Sequence, residues 1–397
     1  MSEPDSEDAV AAFVRAAHDA NEPVLVEGGG TKQGMLRPVQ AARTLSTRAL
    51  RGIVLHRPQE MIVSARAGTP MSEVAEVVAS GNQQITAEPP DLGPLLGTHS
   101  AQTIGGVVAT NLSGPRRVTW GATRDHVMGV RAVNGLGEAI HSGGRVLKNV
   151  TGLDLCKLLT GSHGTLAVLT EITLKVGPTP ERTGTLALRG LDPSRAVAAL
   201  SAALGSPYAV SGAAHLPAEA TAAIPSLAWL GGAVTLARIE DFATSVAYRT
   251  DRLRADLAEF GTAELLDDGA SRLAWAAVRD AKPLVGKPGA VWRVSVRPSA
   301  GPLVAEAVAA IDGSSWFMDW VGGLVWVSAP ATAEAHAAVR AAAIAGRGTW
   351  TLLRAPDGFR AAVDVLPPES AAQNAITKRV QAAFDPRGIL NPGRMAA

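Results

Sequence analysis

Thiols are nearly missing from this chain. Cys156 is its one cysteine, so an internal disulfide is excluded, and so is an iron–sulfur cluster held by this chain's own cysteines. Excess charge of either sign is missing too, with 37 Lys and Arg against 36 Asp and Glu and a formal net charge of +1. A chain so balanced has no long-range field to draw nucleic acid or an anionic membrane surface, and neither is expected as a partner. The longest apolar stretch, Ala222 to Ala237, is broken by Pro225, Ser226 and Thr235 and is too short and too polar to span a bilayer. Residues Met1 to Asp8 are acidic where a secretory leader is basic and then apolar. These absences predict a cytoplasmic protein, or one held peripherally at the inner face of the membrane through partners. Metal-ligand spacing of His and carboxylates is also missing, and no metal is expected.

Aromatic residues are few, at 4%, and unevenly placed: before residue 200 only Phe13 and Trp120 occur, whereas the other seven of eight Trp lie from Trp229 to Trp350. Glycine has the opposite bias, clustering at 28–34, 105–144 and 161–164. A glycine-rich, aromatic-poor half implies loops that bring backbone against a ligand. An aromatic-rich half implies large buried or interface side chains. The 397 residues have room for two cores, and Gly177, Pro178 and Pro180 place the break at Val176–Thr183.

Periodicity supplies the coarse elements. Residues 7–20 read as a helix with Ser6 as N-cap and acidic residues in its first turn. Pro23 to Glu27 is a short apolar strand, Met61 to Arg66 an alternating one, and Pro70 to Ala79 a helix closed by Gly81. Val127 to Val133 and Glu138 to His141 form a hairpin around Gly135-Leu136-Gly137. Leu166, Val168, Ile172, Leu174 and Val176 fall on one face of a period-2 strand. Beyond the break, helices (194–204, 243–260, 331–345) mix with strands (291–296, 324–328).

Four segments carry candidate chemistry. In the first, Val26-Glu-Gly-Gly-Gly-Thr-Lys-Gln-Gly34 follows a strand, and its three glycines let successive amides converge on an anion, with Thr31 and Lys32 adding donors. It is neither a Walker loop nor a G-x-G-x-x-G, so it is not read as an ATP or NAD site. In the second, Thr103-Ile-Gly-Gly-Val-Val-Ala-Thr-Asn-Leu-Ser-Gly114, Gly105 and Gly106 offer unobstructed amides, while Thr110 and Asn111 supply polar contacts. The third joins 148–155 to Gly161-Ser-His-Gly-Thr-Leu-Ala-Val-Leu-Thr170, and the fourth is the turn-rich ending Phe384-Asp-Pro-Arg-Gly-Ile-Leu-Asn-Pro-Gly-Arg394.

In this order and spacing the segments resemble the flavin domain of the vanillyl-alcohol-oxidase/PCMH superfamily. Gly28 to Thr31 matches its Gly-Gly-Gly-Thr loop, Thr103 to Gly106 its Thr-Ile-Gly-Gly, Arg124 to His126 its Arg-Asp-His, and Asp385 to Gly393 its ending. The resemblance narrows to the small FAD-binding subunits of bacterial glycolate oxidases through Glu88-Pro-Pro90, Gly114-Pro-Arg-Arg117, Val291-Trp-Arg-Val-Ser295 and Phe317-Met-Asp-Trp-Val-Gly-Gly323. It implies an α+β protein, with a PCMH-type FAD-binding domain of two α+β subdomains over 1–180. A second α/β domain with a mainly antiparallel sheet would span 181–365, and a C-terminal segment, 366–397, would return to the flavin domain. It further implies FAD, its pyrophosphate held by the two glycine-rich loops. The binding residues carried over are Gly28, Gly29, Gly30, Thr31, Lys32, Pro90, Thr103, Ile104, Gly105, Gly106, Thr110, Asn111, Gly114, Gly164, Val168 and Asn391. FAD is expected to be non-covalent, because no His occurs between Val26 and Pro38. The implied partners are a larger homologous FAD subunit and an iron–sulfur subunit, with a small hydroxy acid such as glycolate as substrate.

Oxidising a 2-hydroxy acid requires a base for the hydroxyl proton and a cation for the carboxylate. Catalytic relatives carry a His-x-Gly-Asp-Gly-Asn-x-His type segment, and none of the eight His of this chain lies in one. No catalytic residue is therefore assigned, and substrate oxidation is expected to belong mainly to the partner subunit. Two alternatives stay open: a self-sufficient FAD-dependent 2-hydroxy-acid dehydrogenase, and a structural subunit with a vestigial flavin site. His126 is read as ordering a loop, His99 as a surface residue, Lys148 and Arg394 as solvated cations, and Cys156 as a core thiol. The Trp-rich stretch 316–326 reads as a buried strand pair, or in part as an interface.

Overall fold

The structure, a computed structural model, describes residues 1–144 and 153–396. Two units are formed: Met1–Ser113 with Gly121–Thr179 and Pro368–Ala397, and Gly114–Trp120 with Pro180–Pro367.

The first unit opens with helix α1 (Glu7–Ala20), begun by the Ser6 hydroxyl, which accepts from the Ala9 amide at 3.3 Å. Val10, Val14 and Ala17 form its buried stripe. Strand β1 (Val24–Glu27) pairs in parallel with β2 (Arg43–Ser46). After β3 (Ile53–Arg57), β4 (Ile62–Arg66), helix α2 (Met71–Ser80) and helix α3 (Ile104–Thr110) come β5 (Val127–Asn134), β6 (Ala139–Gly143) and β7 (Ala167–Lys175). The last strands complete a five-stranded antiparallel sheet in the order β3-β4-β7-β5-β6.

Strand β7 is buried on both faces, unlike the single-faced strand expected from its apolar spacing. A register shift against β5 passes from Arg131↔Glu171 to Ala132↔Leu169, leaving Thr170 as the extra residue. That bulge reverses the alternation. Ala167, Leu169, Ile172 and Leu174 therefore share the core with α2 and α3, while Val168 packs on the other side with α1 residues Val10 and Val14.

The C-terminal stretch belongs to this unit as well. Helix Ala371–Phe384 starts at a capping box formed by Ser370 and Gln373, and Leu390 bridges to Val24 of β1.

The second unit is built on one eight-stranded sheet. Its elements are β8 (Arg182–Arg189), α4 (Pro193–Gly205), β9 (Val210–Leu216), β10 (Val234–Asp241), α5 (Ala243–Asp256), β11 (Ala263–Leu266), α6 (Asp268–Arg279), β12 (Ala290–Ser295), α7 (Gly301–Ala309), β13 (Ser315–Asp319), β14 (Leu324–Ala329), α8 (Ala333–Ala345) and β15 (Thr349–Arg354). The strand order is β11-β8-β10-β9-β13-β14-β12-β15, and every pairing is antiparallel. The Trp-rich stretch is the β13–β14 hairpin, with Phe317 and Trp326 buried and stacked at 6.0 Å. Its turn places Trp320 and Val321 at φ 52 and 64. A β-branched residue in this region is strained by about 1–3 kcal/mol. Segment Gly114–Trp120 packs with this unit because Arg116 makes a bidentate pair with Glu240 at 2.6 and 3.0 Å, and the Thr119 hydroxyl donates to the Val210 carbonyl at 2.7 Å.

Among the described residues no helix is long and apolar enough to cross a membrane.

Candidate functional site

A cleft opens in the first unit where β1, the start of α3, the turn before β7 and the C-terminal tail meet. The turn after β1 contributes Gly28, Gly29, Gly30, Thr31 and Lys32 to its wall. Gly28 and Gly29 are required by packing: a Cβ would sit 2.3 Å from Thr103 Oγ1 at the first and 2.1 Å from the Ala101 carbonyl oxygen at the second. Gly30 is required by conformation, at φ 73. This turn lies flush on the segment before α3.

The amides of Gly29, Gly30, Thr31 and Lys32 have no acceptor among the described residues. Consecutive backbone donors left open beside a cleft wall are the form of an anion-binding nest. The Lys32 ammonium stands next to them, hydrogen-bonded to Gln102 Oε1 at 3.0 Å and Thr31 Oγ1 at 3.3 Å. Burial pushes its pKa down to about 8, against the weaker opposing pull of Asp91. Lys32 is therefore a cation at neutral pH held at a desolvation cost, which an anion in the nest offsets.

The second turn behaves differently from expectation. Thr103, Gly105, Gly106 and Thr110 do line the cleft. The three amides that follow Thr103 are nevertheless occupied within the fold: Ile104 N–H donates to Thr69 O at 2.9 Å, Gly105 N–H to Ala67 O at 2.8 Å and Gly106 N–H to Thr103 Oγ1 at 3.2 Å. Thr103 is the N-cap of α3, and its demand for the Gly106 amide removes the donor that sequence reading offered to a ligand. The Thr110 hydroxyl donates back to Gly106 O at 2.8 Å. The second turn is a buttress, and the first turn is the nest.

Gly164 and Asn391 complete the set of expected residues that the structure brings together. Asn391 is a staple: its Oδ1 accepts from Val26 N–H and its Nδ2 donates to His163 O, each at 2.8 Å. Five expected residues lie away from the cleft wall. Val168 points to the other face of β7 because of the Thr170 bulge, and Ala167 and Leu169 line the cleft instead. Ile104 faces the sheet core. Asn111 is the left-handed C-cap of α3, with its Oδ1 accepting from Arg124 N–H at 3.0 Å. Gly114 belongs to the second unit, where its carbonyl accepts from the Trp320 indole at 3.1 Å. Pro90 is buried outside the lining.

Arg394 was expected to be solvated. It is 6% exposed on the cleft wall, donating to Lys32 O at 2.7 Å and Gln33 Oε1 at 3.2 Å, because the turn at 391–394 folds the tail back onto the first glycine turn. Beside it His163, at φ 52, also lines the cleft, and burial with the Arg394 charge pushes its pKa down to about 3. His163 is thus neutral at physiological pH. Neither was carried over as a binding residue, although the turn-rich ending and the His within Gly161–Thr165 were visible signals. His99 is exposed and His126 ends a short helix, Thr123–His126; neither lines the cleft. Cys156 is buried in the core of the first unit. Lys148 lies outside the described residues.

Four open amides, a lysine and a buried arginine on one wall fit a diphosphate, and Val26, Ala109, Ala167 and Leu169 fit the apolar part of a nucleotide cofactor.

Comparison with known proteins agrees with this geometry. The family described as FAD binding domain matches residues 1–143. Glycolate oxidase subunit GlcE of Escherichia coli (strain K12) is 32% identical over 398 residues, covering 100% of this chain and 99% of that one. Glycolate oxidase subunit GlcD of Bacillus subtilis (strain 168) is 29% identical over 184 residues, covering 46% of this chain and 38% of that one. Among solved structures, p-cresol methylhydroxylase with substrate bound superposes with a TM-score of 0.72 at 12% identity, covering 99% of this chain and 88% of that one, which shows the PCMH-type fold.

Proposed function

The chain belongs to the GlcE family of glycolate oxidase subunits, and from that premise we propose that it works as an FAD-binding subunit of a complex that oxidises glycolate or a related 2-hydroxy acid. The observation that carries this reading is the row of acceptor-free amides at Gly29 to Lys32, set beside Lys32 and Arg394. When bound, FAD supplies two-electron acceptance from a CH–OH group. The chain's own residues hold the cofactor's charge. The nest and Lys32 face the diphosphate, Arg394 adds a cation whose position is set by Lys32 O and Gln33 Oε1, and neutral His163 adds no competing charge. Val26, Ala167 and Leu169 exclude water from the apolar wall. Attachment is non-covalent, since no His stands in the first turn.

With no catalytic His segment in the sequence, the proton acceptor for the hydroxyl is assigned to a larger, homologous flavin subunit, and an iron–sulfur subunit takes the electrons onward. Purified chain reconstituted with FAD should be yellow, with about one flavin per chain and a raised thermal midpoint. Glycolate should bleach it only after the larger subunit is added. A colourless protein with no thermal shift overturns the reading.

A further inference from the structure

Three consecutive residues of the segment before α3 meet the first glycine turn. The Ala101 carbonyl oxygen lies 2.1 Å from where a Cβ on Gly29 would stand, and Thr103 Oγ1 lies 2.3 Å from the same point on Gly28. Between them, Gln102 reaches Lys32, and its Oε1 accepts from the ammonium at 3.0 Å. Ala101 and Thr103 support the turn by shape, whereas Gln102 touches its charge.

Gln102 is anchored for this contact. It is 8% exposed, its carbonyl accepts from the Met71 N–H at the start of α2 at 2.9 Å, and the next residue is the N-cap of α3. Its side chain therefore extends from a backbone fixed by two helix starts. Lys32 is not anchored in that way, because residues 31–37 form no helix or strand. Among the described residues its ammonium has one other hydrogen-bond partner, Thr31 Oγ1 at 3.3 Å. On so flexible a stem, a fixed acceptor decides where the charge rests. It rests between the two glycine turns, with Nζ 4.0 Å from the point that a Cβ on Gly106 would take.

The acceptor is uncharged, and that matters for the charge it holds. An ammonium has three donors; Gln102 and Thr31 take two, and one stays open for a ligand. Lys32 forms no ion pair among the described residues. The charged groups around it are Asp91, whose pull is weaker than the effect of burial, Arg394, which donates to Lys32 O at 2.7 Å, and Arg48, which donates to Gly29 O at 3.4 Å. Glu27 also lines the cleft, with Oε2 accepting from Gln33 at 2.9 Å, and His163 is neutral. A carboxylate in place of the Gln102 amide would neutralise the ammonium within the chain and repel a bound diphosphate. An amide holds the ammonium and leaves its charge open.

We propose that Gln102 is a positioning residue of the anion nest: its neutral oxygen fixes the Lys32 ammonium between the two glycine turns and leaves that charge for the cofactor's diphosphate. For the identity of the anion as FAD this rests on the proposed function, and for the geometry on the cleft alone.

The test uses the full chain and reads FAD affinity, the affinity of the flavin-free chain for inorganic pyrophosphate, and the Lys32 titration followed by NMR of isotope-labelled lysine side chains. In wild type, Lys32 should titrate at about pH 8. Gln102→Met keeps the side-chain length and removes the acceptor; Lys32 should then titrate at lower pH, and both ligands should bind about threefold to tenfold more weakly at pH 7. In Gln102→Glu, Lys32 should titrate at higher pH, yet both ligands should bind about tenfold more weakly or worse at pH 7. In a Lys32→Met background, Gln102→Met should change affinity by less than about twofold, because residue 102 acts through the lysine. The bond to Met71 belongs to the backbone and survives in both variants, so their thermal midpoints should not fall. Equal losses with and without Lys32 overturn the assignment. Unchanged titration and affinity in Gln102→Met overturn it too, as does tighter binding in Gln102→Glu at pH 7, or midpoints lowered by several degrees in both variants. A wild type that binds pyrophosphate with this dependence on residue 102 but takes up no FAD sinks the flavin reading and leaves the positioning role standing. A wild type that binds neither ligand overturns both.

Discussion

The turn Gly28–Lys32 and the turn Thr103–Gly106 are both glycine-rich, both come after an extended segment and both reach the same cleft. In the first, four consecutive amides have no acceptor among the described residues; in the second, three consecutive amides donate to Thr69, Ala67 and Thr103. The difference arises from the chain on the C-terminal side of each turn. Residues Gly29 to Lys32 precede no regular helix that would claim their amides, whereas Thr103 begins α3 and its hydroxyl is drawn to the third amide, as helix geometry demands. A glycine-rich turn therefore binds an anion through the amides that the rest of the fold leaves open, and glycine content alone does not report that number.

Three substitutions break or sharpen this comparison. The largest effect is expected for Gly29→Ala, whose Cβ would fall 2.1 Å from the Ala101 carbonyl oxygen. That contact cannot be relieved by a side-chain rotation, so a loss of about 2–4 kcal/mol in denaturant stability is expected together with loss of bound flavin absorbance. Retention of both would show that the two turns are not in contact. Next, Lys32→Met should weaken FAD binding tenfold to a hundredfold at pH 7, or about 1.4–2.7 kcal/mol, while raising the stability of the flavin-free chain, because the desolvated charge is gone.

The pH dependence of Lys32 has a definite sign. Its pKa in the folded, flavin-free chain is about 8 and its ordinary value is 10.5, so between these pH values the unfolded chain holds a proton that the folded one has lost. Stability of the flavin-free protein from this group rises with pH across that window. FAD affinity instead falls above about pH 8, because the ammonium facing the diphosphate is neutralised. Titrations of affinity against pH should show that fall in wild type and not in Lys32→Met. The smallest effect belongs to Thr103→Ala, which removes the cap of α3: about 1 kcal/mol of stability is lost, with FAD affinity changed by less than threefold. A large loss of affinity there would return the second turn to the role of ligand donor.

Local pattern was legible wherever a short-range rule decides the outcome. Ser6 before Glu7-Asp8 starts α1 where expected, the hairpin at Gly135–Gly137 joins β5 to β6, and the strands at 290–295 and 324–329 coincide with their β-branched and aromatic runs. Val168 was misplaced because a bulge is set by pairing with a neighbouring strand, which alternation in one strand does not contain. Arg394 was misjudged for a similar reason. Its burial depends on a turn that brings residue 394 back to residue 32.

The sequence by itself determined that this chain carries a flavin-type signature, since the order of glycine turns, the Arg-Asp-His run and the Asn-Pro-Gly ending are linear features. It also determined that no cysteine cluster and no His-rich catalytic segment reside here. Only tertiary structure decided which amides stay open and which cation stands at the nest. Each of those depends on whether a donor finds an acceptor elsewhere in the chain, and hydrogen-bond satisfaction is a property of the whole packed fold.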